Sequence, residues 1–360
     1  MKDCVSIFSQ ILGIVNRHTF AKVVAEHSAE ARSKGFSSWD QFVAMLFAQI
    51  GQADSLREIE SGLGTCMGKL NHLGLKEAPA RSTLSYANNH RPWEVYEQMF
   101  YEVLTQCQTA APHHRFRFKN PLFSLDATVI DLCLSLFEWA KFRTTKGAVK
   151  LHLLLNHSGY LPAFAHITEG KVHESRITSM VPLAPGSVVA VDRGYNSYDQ
   201  FATWDAQGVW FVAREKEHAV YRVVKDLGGP RHTSILGVDE IELNGGQTGT
   251  GRPLRLRRIV VWDRKADKNI VLWTNNFELG ASTVARVYKD RWQIEVFFKA
   301  IKQYLRIKTF VGTTENALKT QLWTALIAIL LIKFLQFKST IGWSLSTLIA
   351  MLRFNLFTYR

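Results

Sequence analysis

Residues 288–302 read YKDRWQIEVFFKAIK, and the way this stretch folds decides what kind of core stands behind it. Tyr288, Arg291, Glu295 and Lys302 follow one another at spacings of 3, 4 and 7 residues. At about 100° per residue on an α-helix they point to roughly 0°, 300°, 340° and 320°, one arc about 60° wide. One helix face therefore carries a carboxylate flanked by two cations and a phenol. Val287, Ile294, Phe297, Phe298 and Ile301 fall at roughly 180–280°, an apolar stripe that seats the helix against a core. Taken alone, the polar arc also fits a solvated salt-bridge face, because Arg291–Glu295 and Glu295–Lys299 are ordinary i,i+4 pairs. The rest of the chain decides between the two.

Upstream of this helix the pattern is β. The runs LFSLDATVIDL, VKLHLLLN, YLPAFAHITEG and GSVVAVDRGYN are rich in Val, Ile, Leu and Phe and are bounded by Gly, Pro or Asn. SYDQFATWDAQG reads as a helix, VWFVARE as a further strand, and residues 217–277 as a β-rich insertion closed by LRLRRIVVWD and NIVLWTN. Asp126 lies inside the first strand and Asp192 ends the fourth, just before Gly194 and Asn196 turn the chain. Each acid has a plain alternative: a strand-end Asp held by backbone donors, or a turn cap. Asp131, five residues after Asp126, competes with it but faces the other way on an unbroken strand. Carboxylates at strand ends meet when their strands are neighbours, and Glu295 would bring a third acid from the helix. Three hard oxygen donors with open positions suit Mg²⁺ or Mn²⁺ far better than zinc. Two such ions can activate a nucleophile and stabilise the leaving oxygen of an in-line phosphodiester displacement. Arg291 and Lys302 would then hold phosphates of the strand being cut.

Residues 1–112 read as helices. Ser37 or Ser38 can cap WDQFVAMLFAQIG, Asp54 or Ser55 can cap LREIESGLG, and Ser82 can cap a helix presenting Arg81, Asn88, Asn89, His90 and Arg91. Short helices joined by tight turns suggest a helix-turn-helix arrangement whose last helix reads DNA. APHHRFRFKNP (111–121) is basic and aromatic, as a linker lying along phosphates would be. Residues 311–360 again read as apolar helix, and LWTALIAILLIKFLQF within them is too short to span a membrane comfortably, so a buried helix is expected.

The bulk properties agree. A chain of 360 residues with 47% hydrophobic and 21% charged residues is globular and long enough for two or three domains. Forty-four Lys and Arg against 31 Asp and Glu give a net charge of +13, which favours a polyanion, nucleic acid before acidic membrane. Four cysteines without a CxxC pair argue against a zinc ribbon or disulfide framework, and the N-terminus has no signal-peptide pattern. The expectation is a soluble, cytoplasmic, nucleic-acid-facing protein.

The order of Asp126 in a DAT strand, Asp192 in VDRGYN, a β-rich insertion and the Tyr-Arg-Glu-Lys helix resembles bacterial insertion-sequence DDE transposases of the "insertion sequence four" family. The likeness runs over roughly residues 115–310. It implies an α/β fold: an RNase H-like catalytic core (113–310) with a β-rich insertion, preceded by an all-α DNA-binding region (1–112) and followed by C-terminal helices (311–360). It implies Asp126, Asp192 and Glu295 as the catalytic triad holding two Mg²⁺ or Mn²⁺ ions, with Tyr288, Arg291 and Lys302 on phosphates. Arg193 and Tyr195, beside Asp192, become candidate DNA contacts, as do Arg81, Asn88 and Arg91 in the N-terminal region. Trp292 and Trp273 are candidates to receive a flipped base, though either also suits a core. The family acts on double-stranded DNA, transposon ends and target alike, as a homodimer in a synaptic complex in the bacterial nucleoid. Two rivals stay open: an RNase H-like nuclease without strand transfer, and a helix-turn-helix regulator whose carboxylates are structural. His152, His157, His166 and His173 lack metal-ligand spacing and are expected in the core or on strand surfaces.

Overall fold

The structure is a computed structural model that describes residues 5–359 apart from 32, 34, 67, 69, 144, 145, 229–233, 247, 250, 265, 306 and 308. Six helices lead: α1 (Ile7–Leu12), α2 (Arg17–Glu26), α3 (Ser38–Gly51), α4 (Leu56–Gly64), α5 (Arg81–His90) and α6 (Glu94–Ala110). Strands β1 (Leu122–Leu132), β2 (Lys141–Arg143), β3 (Lys146–Asn156), β4 (Leu161–Glu169) and β5 (Val188–Val191) follow. Then come α7 (Tyr198–Ala206), β6 (Trp210–Arg214), β7 (Arg222–Asp226), β8 (Ile235–Leu243), β9 (Leu254–Asp263) and β10 (Lys268–Thr274). The chain closes with α8 (Ala281–Asp290), α9 (Gln293–Tyr304), α10 (Glu315–Lys338) and α11 (Leu345–Asn355). Contacts divide it into two units: residues 1–112, 130–149 and 298–360, and residues 113–129 and 150–297.

The first unit is a helical bundle with α10 inside it. Hydrophobic all round, α10 has the composition of a membrane span, but its side chains from Ala317 to Lys333 are almost all buried and it packs on α3, α5, α6 and α11. The segment 311–360 is thus an integral layer of the bundle. Helix starts follow the expected chemistry at two places: Ser37 and Asp40 form a reciprocal capping box on α3, and Ser55 accepts from Glu58 N on α4. The third differs. Helix α5 begins two residues early, with Ala80 at its N-cap and no side-chain bond, so Ser82 caps nothing.

The second unit is built on a sheet of order β2-β3-β1-β5-β6-β10-β9-β8-β7, with β4 on β3; β2 and the outer ends of β1 and β3 are counted with the first unit. Strands β1, β5 and β6 are parallel, whereas β10, β9, β8 and β7 add antiparallel neighbours in turn. The β-rich insertion therefore extends the same sheet. Both faces of the central strands are covered: Val189, Val191, Phe211 and Trp273 enter one apolar layer with α7, and Val188, Ala190, Val212 and Leu272 enter another with Ala281, Val284 and Val287 of α8. Strands covered on both faces are continuous apolar runs, which is why VVAV reads as it does.

Candidate active site

The ladder between β1 and β5 ends on the pair Leu125–Val191, and the next residues along the two strands are Asp126 and Asp192. Side chains alternate across a strand. Leu122, Val188 and Ala190 enter the layer under α8, and Leu125, Val189 and Val191 the opposite one. Asp126 and Asp192 consequently share the α8 face on neighbouring strands.

The helix expected over 288–302 is two helices. α8 ends at Asp290, Arg291 and Trp292 form a turn, and α9 starts at Gln293. Ile294 N donates to Arg291 O at 3.0 Å and Glu295 N to Trp292 O at 3.1 Å, three-residue spans that tighten the chain as a 3₁₀ turn does. No Gly or Pro marks the break, so apolar periodicity runs through it; Val287, Ile294, Phe297, Phe298 and Ile301 are all buried. Tyr288, Arg291 and Glu295 of the polar arc stay together. Arg291 Nη2 donates to Glu295 Oε1 at 2.8 Å and Nη1 to Asp126 Oδ2 at 3.2 Å. The guanidinium also lies 5.6 Å from the Tyr288 ring centre. With a side chain 11% exposed, Arg291 is no solvated salt-bridge residue.

The electrostatics are those of crowded acids. Burial pushes the Asp126 carboxyl up to about 7; Arg291 and the Ala127 N–H oppose this, while Glu295 and Asp192 add to it. Burial works against the charge of Arg291, but Glu295 and Asp126 together hold its pKa above the ordinary value. Glu295 Oε2 and Arg291 Nε are buried without a hydrogen-bond partner, a costly condition for polar atoms. Among the described residues no three His, Cys, Asp or Glu side chains form a ready metal cluster; Arg291 bridges two of the acids instead. The donors nevertheless fit a divalent cation: hard oxygens, a partnerless buried carboxylate oxygen, and an aspartate that burial leaves short of positive charge.

A second network, which the sequence reading missed, fixes the turn against β1. Buried His157 bonds through Nε2 to Ser124 Oγ (2.7 Å) and through Nδ1 to Asp290 Oδ2 (2.8 Å), where Tyr160 OH also donates (3.3 Å). Burial opposes the Asp290 charge, yet the bonds from His157 and Tyr160 hold its carboxyl below the usual range. Ser124 is two residues from Asp126 and Asp290 immediately precedes Arg291, so this clamp sets the spacing between strand and turn. A Ser-His-Asp order alone would have suggested a nucleophile; burial of Ser124 and His157 argues for a tie. Lys150 and Glu174 were missed as well. Lys150 Nζ donates to Val172 O and pairs with Glu174 at 3.3 Å, and Glu174 lies so close over Gly194 that a Cβ there would collide with it.

Several expected contacts are placed elsewhere. Tyr195 is buried, with its hydroxyl 3.5 Å from His152 Nδ1 and its pKa raised by burial; it is a core residue and offers nothing to DNA. Trp273 is fully buried and donates from Nε1 to Glu215 (2.8 Å), which removes it as a base receiver. Trp292 is 62% exposed. Arg193 is half-buried and pairs with Glu217 at 2.8 Å. In the helical unit Asn88 is buried, accepting from Gln41 Nε2 at 2.9 Å, and Arg91 is tied to Ser33, Phe36, Ser37 and Gln41. Neither of these two is a free reader of DNA: Asn88 lies on the inward side of α5 with Leu84 and Ala87, and Arg91 is the extended residue that ends the helix. Arg81 remains exposed. Lys302 lies seven residues beyond Glu295 in α9, half-buried, within the segment counted with the first unit.

Comparison with known proteins bears on this geometry. Residues 117–331 match the family model "Transposase DDE domain", and residues 3–76 match a domain of unknown function, DUF4372. The chain is 30% identical over 254 residues to a protein of Geobacillus stearothermophilus named as a transposase for insertion sequence element IS5377, covering 71% of this chain and 67% of that one. It is 29% identical over 260 residues to a protein of Sinorhizobium fredii named as transposase y4zB, covering 71% of each. A solved piggyBac transposase synaptic complex with hairpin DNA is similar at 8% identity and a TM-score of 0.46, covering 97% of this chain and 78% of that one, a likeness too slight to carry an argument.

Proposed function

The chain belongs to the transposase DDE domain family, and from that premise we propose that Asp126, Asp192 and Glu295 are its catalytic acids. As a DDE transposase it acts on DNA, and domains of this family use divalent metal ions. The reading goes further: a cut-and-paste transposase of the "insertion sequence four" type, built on an RNase H-like core, binding the terminal inverted repeats of its own element as a homodimer. The order β4-β3-β1-β5-β6, with β1, β5 and β6 parallel, supports such a core. The observation that carries the site is the meeting of three elements: neighbouring strands bearing Asp126 and Asp192 just past the point where their pairing stops, and Arg291 tying Asp126 to Glu295.

Asp126, Asp192 and Glu295 would hold two Mg²⁺ or Mn²⁺ ions, which when bound supply nucleophile activation and charge neutralisation at a phosphodiester. The protein's own part is positioning. The His157 clamp keeps β1 and the α8–α9 turn in register, so that Asp126 and Glu295 stay within reach of one another. Arg291 keeps the acids from repelling each other and presents a guanidinium to a phosphate. Tyr288, half-buried beside it, braces that guanidinium. Arg193 offers a further cation to the strand and Trp292 an exposed ring on which a displaced base can stack, and Lys302, in the other unit, is a further candidate for a phosphate contact. Arg81 offers a cation from the helical unit.

An excision assay with end-containing DNA and Mg²⁺ tests this. Wild type should release and rejoin the element, and Glu295→Gln should do neither. Cleavage without joined product would favour the stand-alone nuclease, and equal behaviour of the two proteins would refute the assignment.

A further inference from the structure

We propose that residues 113–119 and the adjoining face of α8 form a phosphate-binding track for duplex DNA, separate from the carboxylates; this rests on the reading of the chain as a DNA transposase. Exposure alternates along the segment. His113, Arg115, Arg117 and Lys119 are exposed, whereas His114, Phe116 and Phe118 are half-buried. The three inward rings form one cluster with centroids 5.1–5.9 Å apart, and both phenylalanines join the apolar layer under α8. His114 Nε2 bonds Asn120 O (2.9 Å) and Asn120 Nδ2 donates to Gly186 O (2.8 Å). The backbone that carries the cations is thus fixed, and only their side chains have to be ordered when a ligand binds.

Helix α8 extends the patch. The Arg286 guanidinium lies 5.3 Å over the Phe116 ring, and Arg286 and Lys289 are exposed. Among the described residues no ion pair engages Arg115, Arg117, Lys119 or Lys289. Asp290, whose field Arg115 feels, is committed to His157. A charge run is often just a solvated face, but this one is unneutralised, anchored and contiguous with a second element. Such a patch raises the local concentration of a polyanion. Lys119 precedes Asp126 by seven residues, so the track ends within about 25 Å of the acids. That corresponds to up to about seven base pairs of duplex at 3.4 Å per step. The contacts are to backbone phosphates and carry no sequence information.

The test uses the full chain carrying Arg115→Ala, Arg117→Ala and Lys119→Ala together, with binding to a random-sequence duplex measured across a salt series. Each phosphate contact contributes about 0.9 to the slope of log affinity against log salt. The triple variant should lower the slope by up to about 2.7 and weaken random and end-containing duplexes by the same factor. A matched triple elsewhere on the same unit, Lys225→Ala, Arg264→Ala and Lys268→Ala, should leave the slope nearly unchanged. Equal losses from the two triples, or none from the first, would overturn the track while leaving the transposase reading intact. A wild type that does not bind duplex at all would overturn both, and unchanged melting temperatures exclude misfolding as the cause.

Discussion

Arg91 and Arg291 are both largely buried arginines held by several hydrogen bonds, and they do opposite things. Arg91, in the helical unit, donates to neutral acceptors: Ser37 O and Ser33 Oγ at 2.8 Å each, Gln41 Oε1 at 3.3 Å, and Phe36 O. Burial lowers its pKa, and Tyr96, Glu30 and Asp40 only partly oppose this. Arg291, in the sheet unit, donates to two carboxylates, and their charge outweighs its burial. Arg91 completes a closed network, as a structural residue should. Arg291 is one of several cations that could balance the same acids, and the partnerless Glu295 Oε2 beside it marks what remains unsatisfied. Buried polarity signals function where acceptors are charged and incompletely matched, and architecture where they are neutral and fully matched.

The largest effect should come from Glu295→Gln. Metal-dependent cleavage should fall by more than about 100-fold, beyond the range of an outer-shell partner, with the melting temperature kept; single-turnover kinetics would measure it. A stability loss as large as the activity loss would dissolve the contrast with the helical unit.

The two arginines should then separate in denaturant unfolding. Arg91→Ala strands buried acceptors and should cost about 2–4 kcal/mol, with no dependence on divalent ions. Arg291→Ala should destabilise the metal-free protein and be rescued by Mn²⁺ more than wild type is stabilised, because the ions replace the lost charge. Equal Mn²⁺ responses in both variants would break the comparison.

A smaller effect lies in pH. The Asp126 carboxyl titrates near 7 when folded and near 4 when unfolded, so the folded state binds the extra proton in between. Wild-type stability should therefore fall, on this group's account, as pH rises from about 4 to about 7. Asp126→Asn removes that slope, and in chelator its melting temperature should exceed that of wild type by more at pH 8 than at pH 5. The smallest effect belongs to Trp292→Ala: an exposed ring should change stability by less than about 0.5 kcal/mol while reducing binding of end DNA. Loss of folding would show instead that the ring is structural.

Much of the catalytic unit was legible because its signals are local. Apolar runs bounded by turn residues gave β1 and β9 their observed limits, and the placement of Asp126, within β1, beside Asp192, just past the end of β5, follows from the parallel pairing of two such runs. The turn at Arg291–Trp292 was not legible, since a 3₁₀ tightening without Gly or Pro leaves no mark in composition. Nor were the buried positions of Asn88, Arg91, Tyr195 and Trp273. A polar or aromatic side chain is buried when a partner distant in sequence satisfies it: Gln41 for Asn88, Glu215 for Trp273. The His157 clamp joins residues 124, 157 and 290, and no spacing rule connects them.

The central claim is that Asp126, Asp192 and Glu295 together hold divalent ions. Its most direct test is Mn²⁺ binding by the full chain, followed by electron paramagnetic resonance in the presence of uncut end DNA. Bound Mn²⁺ should be detected in wild type, lost in Asp192→Asn at unchanged melting temperature, and retained in Trp292→Ala. Wild-type levels of bound Mn²⁺ in Asp192→Asn would contradict it.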